Sequence, residues 1–459
     1  MIMVKTKVYI KTYGCTLNQS DSERIKGILN TDKNIKIVDS LDDCDIEIIN
    51  SCTVKNTAEE KLYREIRNAE SKGKRVVVAG CVAQAENSLV ANKLNKYSII
   101  GPNNIKDIGK VIKQKSRFLN IVGNKTTILQ KGIFLQNNHS PEKINIKTIS
   151  NNKFVAIIPI SEGCIGKCSY CKTKQARGEL SSYSPKNIIA VAEKAVKNGA
   201  KELWLTAQDT SCYGFNIKSL DGFTPKTNLA KLVKKIIKIK GDFKVRVGMG
   251  NPNSFLKIVK EYLEVFDYDQ KHSKKLYKFF HIPVQAGSDT VLKDMNRYYT
   301  VKDFKKLIRI IKRKIKNVFI ATDIIVGYPL ENEKDFQKSL KLIKWLKPEM
   351  LNISRMWLRQ GTPAQRKHKQ LPTKLVKQRS QVMTKLFYKI LDKNKIRWKN
   401  WKGKIIITEK GKNNSFIGKN EFYKQVIIKS DKLKLGDVVE CRIVSLGRFE
   451  IVAELIDII

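Results

Sequence analysis

Acidic residues are what this chain has too few of. Its 459 residues hold 43 Asp and Glu against 89 Lys and Arg, a formal net charge of +46. A field of that sign attracts polyanions and speeds their capture. The chain is rich in Lys, Ile and Asn throughout, so where the charge lies says more than its total. Apolar runs approaching the ~20 residues that cross a bilayer are absent, which excludes a transmembrane helix. The opening Met1-Ile-Met-Val-Lys-Thr-Lys-Val-Tyr-Ile10 lacks a signal-peptide layout and runs straight into a strand pattern. The expected compartment is the cytoplasm, with no membrane partner. A disulfide framework is excluded too: nine cysteines is an odd count, and long intracellular chains rarely carry one. Hydrophobic residues at 42% and charged residues at 29% rule out a disordered chain. The length predicts about two to four domains.

What is present is a loop, Cys164-Ile-Gly-Lys-Cys168-Ser-Tyr-Cys171, behind an apolar run at 154–160 that reads as a buried strand. Three thiolates are one short of the four that fill a [4Fe–4S] cluster, so one iron would keep an open position for a substrate. Zinc is the alternative, although its sites usually pair Cys-x2-Cys units or add histidines. The Cys-x3-Cys-x2-Cys spacing resembles the radical S-adenosylmethionine (SAM) superfamily. That resemblance implies a cluster on Cys164, Cys168 and Cys171, with SAM chelating the open iron and Tyr170 near its adenine.

The first hundred residues repeat one unit. Strand patterns at 7–12, 45–49 and 75–79 each run into a cysteine: Gly14-Cys15, Asn50-Ser51-Cys52-Thr53 and Gly80-Cys81. Helices are expected from near Ser20-Asp21-Ser22-Glu23 and across 58–69. Such alternation argues a parallel, doubly wound sheet, and ligands bind such sheets at the carboxyl ends of the strands. Three cysteines at that one edge make a second three-thiolate site. Cys44, Cys212 and Cys441 read as ordinary small residues. The segments Thr12-Tyr-Gly-Cys15-Thr-Leu-Asn18-Gln-Ser-Asp21-Ser-Glu, Asn50-Ser-Cys52-Thr-Val and Ala79-Gly-Cys81-Val-Ala-Gln84 resemble the amino-terminal domain of the radical-SAM methylthiotransferases. The resemblance implies a second [4Fe–4S] cluster on Cys15, Cys52 and Cys81, whose open iron carries the sulfur or methylthio group to be transferred.

Beyond a basic, Asn-rich connection at about 100–145, strand runs recur at 154–160, 202–206, 243–247, 276–282, 318–326 and 350–354. Six strand–helix units suit a partial parallel barrel, with its chemistry at the carboxyl ends of the strands. Gln208-Asp209 follows the second strand, and Arg246 lies on the third, where a guanidinium can meet a carboxylate or a phosphate. His281-Ile-Pro283-Val-Gln285-Ala-Gly-Ser288 follows the fourth, and Asp323-Ile-Ile-Val-Gly327-Tyr-Pro329 closes the fifth. The segment from His281 is similar to the family's HIPVQSGS, which implies that His281 and Gln285 line the SAM pocket; Gln208 and Arg246, at the neighbouring strand ends, are expected to bind SAM with them. Three positions depart from the family pattern. Leu330 stands in place of a turn glycine, Gln360 in place of a proline before Gly361-Thr362-Pro363, and Gln208 in place of an acid.

From about residue 401, short strands with Gly punctuation follow at 404–409, 415–418, 423–428, 438–445 and 449–455, a pattern that suits a small OB-like β-barrel. It resembles the TRAM domain of RNA-modifying enzymes. Phe416, Phe422 and Tyr423 are the expected base-stacking groups, among Lys412, Lys419 and Lys424. Between Gln365 and Asn400 stand twelve Lys or Arg and one acid, Asp392. A solvated helix normally mixes signs, so this stretch reads as a phosphate track. The expected fold is therefore α/β: a doubly wound N-terminal domain (1–115), a partial (β/α)6 radical-SAM barrel (146–390) and a small C-terminal TRAM-like β-barrel (398–459).

Replacing an unactivated aromatic hydrogen with a methylthio group is beyond any side-chain acid or base, so cofactors must do it while the protein positions them and excludes solvent. The resemblance implies that one SAM methylates cluster-bound sulfide and another yields the radical that abstracts hydrogen. Cys171-Lys-Thr-Lys-Gln-Ala-Arg177-Gly178-Glu-Leu and Leu203-Trp204-Leu205-Thr206-Ala-Gln-Asp209-Thr210 resemble the archaeal and eukaryotic branch. That branch adds a 2-methylthio group to threonylcarbamoyl-adenosine beside the tRNA anticodon. A monomer whose partners are tRNA, SAM and an electron donor is expected. The same chemistry on isopentenyl-adenosine in tRNA or on a ribosomal-protein aspartate stays as an alternative. So does a non-catalytic iron–sulfur RNA-binding redox sensor. The basic stretch favours tRNA over a protein target.

Overall fold

The computed structural model describes residues 5–53, 56–85, 93–94, 96–114, 120–121, 141–215 and 227–459. Residues 122–140 of the expected Asn-rich connection lie outside the described residues. Strands β1 (Thr6–Thr12), β2 (Ile35–Ile37), β3 (Ile46–Asn50), β4 (Arg75–Ala79), β5 (Ser98–Ile100) and β6 (Asn120–Ile121) form one parallel sheet in the order β2-β1-β3-β4-β5-β6. Alternation along the strands sends Val8, Ile48 and Val77 to one face, where Ile25 and Leu29 of helix Thr16–Leu29 cover them. Ile49, Val76 and Val78 go to the other face, against Leu62 and Ile66 of helix Asn56–Ser71. The sheet is therefore doubly wound, and its order reverses between β1 and β3. Ligands of such sheets bind outside the strand ends at that switch point.

Two features differ from the sequence expectation. The first helix starts at Thr16 rather than near Ser20, because Cys15 already takes the extended N-cap conformation. The three-residue edge strand β2 is too short to show a period in the sequence.

Six further parallel strands follow in chain order: β7 (Val155–Pro159), β10 (Glu202–Thr206), β11 (Lys244–Val247), β12 (Phe279–His281), β13 (Phe319–Val326) and β14 (Met350–Arg355). A small antiparallel pair, β8 (Ser161–Glu162) with β9 (Ser181–Ser182), stands beside the first of them. A single bridge, Val245 to Leu276, joins the two halves of the barrel. Ile158, Leu203, Val245, Phe280 and Ile320 point outward into one core with Ile188, Val233, Ile258, Ile308 and Ile343 of the surrounding helices. Ser184, Asn228, Asn251, Thr300 and Asn332 cap five of those helices through their side chains, each contributing about 1 kcal/mol.

The last sixty residues close a five-stranded barrel, β15 (Lys402–Lys410), β16 (Ser415–Lys419), β17 (Gln425–Lys429), β18 (Val438–Leu446) and β19 (Ile451–Ile458), in the order β15-β16-β17-β19-β18. Its core is continuous with Tyr277, Phe279, Phe319 and Ala321 of the central barrel. This corrects the reading of the aromatics as base-stacking groups. Phe422 is buried in that shared core, and Phe416 and Tyr423 pack against it. Lys419 is buried as well, with Glu202 and Glu409. Continuity of the two barrels, invisible to a local pattern, is the physical reason.

Candidate active site

The Cys164–Cys171 loop leaves the carboxyl end of β7. Gly163 makes the turn at φ +70, and a Cβ there would stand 2.0 Å from the Glu179 carbonyl oxygen, so only glycine fits. Every sulfur of the loop has a donor. The Gly166 amide lies 3.3 Å from Cys164 Sγ, and the Thr173 amide 3.3 Å from Cys171 Sγ. Arg297 Nη1 donates to Cys168 Sγ at 3.1 Å. Hydrogen bonds of this kind to cluster sulfurs tune reduction potential. Burial pushes the Cys164 thiol up to about 12 and also raises Cys171, with Cys168 adding to both. A thiolate here needs a cation, and a coordinated metal deprotonates the thiol outright.

The loop is anchored from below. Ser169 donates its amide to Met295 O at 3.1 Å and its hydroxyl to Asp294 O at 2.9 Å. Tyr328, of the segment closing the fifth strand, donates to Asp294 Oδ2 at 2.7 Å. The turn there keeps its form with Leu330 in place of glycine: Leu330 has no positive φ, and Glu331 Oε1 still accepts from the Gly327 amide and from Arg379, both at 2.8 Å.

Across from this loop stands the second set of thiols. Gly14 and Gly80 turn the chain at φ +130 and +91, just before Cys15 and Cys81. A Cβ on Gly14 would lie 2.8 Å from Cys52 Cβ and 2.9 Å from Asn18 Nδ2. Cys15 Sγ and Cys81 Sγ lie 3.7 and 3.6 Å from the same atom, Asn18 Oδ1. The Asn18 amide is fixed at both ends: Nδ2 donates to Tyr13 O at 3.1 Å, and Arg177 Nη2 donates to Oδ1 at 2.9 Å.

Behind Asn18 lies a buried charge cluster. Arg177 meets Asp21 at 2.7 Å and Glu162 at 2.9 Å, Lys143 meets them at 3.5 and 3.3 Å, and Arg24 at 3.6 and 3.7 Å. Burial alone would raise the Glu162 carboxyl, but Lys143, Arg177 and Arg24 outweigh it and hold it down at about 2. Three cations thus face two carboxylates within 4 Å, with Glu23 a further acid interacting with Arg24, and Arg177 puts its positive charge on the side of the thiols. That is the environment a thiolate-held anionic cluster fits. Arg177 ends helix Thr173–Arg177, which begins two residues after Cys171 and is about 7 Å long at 1.5 Å per residue. Through Arg177 and Asn18 that helix links the two cysteine-bearing segments. Among the described residues, no three His, Cys, Asp or Glu side chains close on one point as a single-ion site does.

Four of the expected SAM residues lie near the strand ends. Tyr170 packs against the barrel core, with Arg297 as a charged neighbour. Gln208 Oε1, just past β10, is buried with no hydrogen-bond partner, an orphaned acceptor suited to a ligand's donor. The adjacent Asp209 is already engaged by the amides of Ser211 and Asn251, both at 3.0 Å. His281 Nε2 lies 2.9 Å from Asp323 Oδ1, which also accepts from Asn352 Nδ2 at 2.7 Å. Gln285 sits at φ +70, its amide donating to Asp323 O at 2.9 Å.

Arg246 is not with them. Its guanidinium carbon lies 5.5, 5.5 and 5.4 Å from the ring centres of Trp204, Phe279 and Tyr423, a cation–π cage against the small barrel. The cage withdraws it from a SAM carboxylate. Sequence reasoning missed Arg297, Glu162 and Lys143. Glu162, an acid two residues before Cys164 at the end of an apolar strand, was the one readable signal.

Comparison with known proteins gives this arrangement a family. Residues 7–101 match the Uncharacterized protein family UPF0004, and residues 158–343 match the Radical SAM superfamily. A probable threonylcarbamoyladenosine tRNA methylthiotransferase of Pyrococcus horikoshii is 35% identical over 450 residues, 98% of this chain and 99% of that one. The human threonylcarbamoyladenosine tRNA methylthiotransferase is 34% identical over 448 residues, 96% of this chain and 72% of that one. Among solved structures, the radical S-adenosylmethionine methyltransferase TsrM of Kitasatospora setae aligns with a TM-score of 0.54 at 12% identity. That alignment covers 79% of this chain and 77% of the other, and is a likeness of fold. Two matched domains and identity along nearly the whole chain place the protein in the threonylcarbamoyladenosine tRNA methylthiotransferase family of radical-SAM enzymes.

Proposed function

We propose that this chain adds a 2-methylthio group to threonylcarbamoyl-adenosine in tRNA. In this reading Cys164, Cys168 and Cys171 hold one [4Fe–4S] cluster, and Cys15, Cys52 and Cys81 hold another. The observation that carries it is the link between two three-cysteine sets, each one ligand short of a full cluster: the short helix that follows Cys171 ends in Arg177, which bonds Asn18 beside Cys15 and Cys81. When bound, the clusters and SAM supply the one-electron cleavage and sulfur transfer that an unactivated C–H bond requires. The chain's own groups do the rest. Gly166, Thr173 and Arg297 orient the three sulfurs of the central loop. Gln208 Oε1 offers a buried acceptor to SAM, and His281 is held by Asp323.

For the RNA, helix Thr373–Asn394 carries Lys374, Lys377, Lys385, Lys389 and Lys393 on its exposed side as phosphate contacts. Arg379, counted with them in the sequence, instead pairs with Glu331. Among the described residues no helix is long and apolar enough to cross a membrane. A cytoplasmic monomer served by a separate electron donor completes the proposal.

Mass spectrometry of tRNA nucleosides tests it, in a host lacking the modification, with and without this gene. A new 2-methylthio-threonylcarbamoyl-adenosine peak is expected, lost in the C164A/C168A/C171A variant. No peak in cells holding the intact protein with about eight irons per chain would overturn the substrate assignment.

A further inference from the structure

We propose that Arg177 is a positioning residue for the amino-terminal cluster, and that its buried positive charge sets that cluster's reduction potential separately from the other's. The inference rests on the reading of Cys15, Cys52 and Cys81 as cluster ligands. Arg177 has a side chain only 1% exposed, so water does not screen it. It reaches the thiols in two ways: Asn18 Oδ1 accepts from Arg177 at 2.9 Å and lies 3.7 and 3.6 Å from Cys15 Sγ and Cys81 Sγ, and Arg177 also hydrogen-bonds Cys81 itself.

The charge count isolates its role. With Arg177, three cations face Asp21 and Glu162; without it, Arg24 and Lys143 still balance those two carboxylates. Removing Arg177 therefore leaves both carboxylates paired and takes away the positive charge that lies beside the thiols. A cluster on three thiolates becomes more negative when it accepts an electron, and a nearby positive charge favours that form. At an effective dielectric of about 20, a unit charge no more than about two hydrogen-bond lengths away is worth at least about tenfold in that equilibrium. Tenfold is about 59 mV for a one-electron couple. The other loop has its own cation, Arg297 on Cys168, so the two potentials are set by separate arginines.

The test uses the full chain with Cys164, Cys168 and Cys171 changed to Ala, so that one cluster remains, and titrates its potential by electron paramagnetic resonance while counting iron. That parent should hold about four irons. Adding R177Q should keep the iron and lower the potential by about 59 mV or more, and R177K should restore most of it. D21N removes a carboxylate from the same network and should move the potential the other way. If R177Q sheds its iron, D21N decides alone: a rise supports the proposal and no change overturns it. Unchanged potentials in both variants, whatever happens to the melting temperature, would make Arg177 a purely structural residue. A parent with no iron would instead overturn the cluster reading beneath it.

Discussion

Lys419 separates two accounts of the small barrel, because local sequence casts it as a phosphate contact and the structure casts it as an interior ion pair. Its side chain is 2% exposed, with Nζ 3.5 Å from Glu202 Oε1, 3.2 Å from Glu409 Oε1 and 3.0 Å from Thr408 Oγ1. Glu202 is fully enclosed; its other donors are Trp204 Nε1 at 2.7 Å and the Tyr277 hydroxyl at 2.8 Å. Changing Lys419 to Met leaves a buried carboxylate without its cation, a change that typically costs about 3–5 kcal/mol. The two remaining donors soften that, so about 3 kcal/mol is expected in urea unfolding. The double variant K419M/E202Q should recover at least about 1 kcal/mol, since paired residues couple by roughly that much or more. A phosphate contact predicts the reverse: stability within about 0.5 kcal/mol, and a plot of log affinity for tRNA against log salt that flattens by about 0.7 to 0.9. That second pattern would refute the interior pair and return Lys419 to the RNA surface.

Glu47 gives a pH test. Its carboxyl is fully buried on the central strand with neither oxygen hydrogen-bonded, and burial, then Glu65, push it up to about 7 from 4.5. The folded value lies above the unfolded one, so stability is full below about 4.5 and falls as pH rises to about 7, by roughly 3 kcal/mol in all. Glu47→Gln should remove that slope and raise the melting temperature at pH 8 but not at pH 4; equal shifts at both would refute the assignment. Gly14→Ala forces a Cβ against Cys52 in a backbone that only glycine favours. It should halve the iron to about four per chain, and a full complement of about eight would show that the turn can give way. Gln208→Ala removes the orphaned acceptor. The KM for SAM should rise about three- to tenfold with iron unchanged, as one hydrogen bond is worth; an unchanged KM would place the amide outside the pocket.

The thiols were legible because each depends on a local rule. A parallel strand shows as a short apolar run, its carboxyl end shows as Gly or Asn, and the cysteine follows at once: Gly14-Cys15, Gly80-Cys81. The five strands of the small barrel were legible on the same terms. What stayed hidden was made by distant pairs. Arg246 looks like a ligand-binding arginine at a strand end until Tyr423, from another domain, closes over it. Lys143 and Arg24 belong to one charge cluster only because the segment at 141–150 packs against the first helix, Ile149 donating its amide to Glu23 O at 3.0 Å. Composition misled in one respect. A chain this basic makes every lysine look solvated, yet Lys143 and Lys419 are interior.

The central barrel is clamped at both ends, and by different physics. Below, the clamp is aromatic and apolar: the Arg246 cage and the core shared with β15–β19. Above, it is polar and centred on the thiols. Thr16, next to Cys15, bonds Thr206 at 2.7 Å; Lys172, next to Cys171, bonds Ala85 O at 3.2 Å; and Arg359 donates to the carbonyl of Thr53, next to Cys52. Each of these contacts involves a residue adjacent to a cysteine. The amino-terminal domain therefore cannot move off the barrel without disturbing the cysteines themselves. If the two cysteine sets hold clusters as proposed, the chemistry those groups would supply needs the two sets held at a fixed separation, with solvent kept out. Binding the two domains through the residues that flank the cysteines meets both needs with one set of contacts.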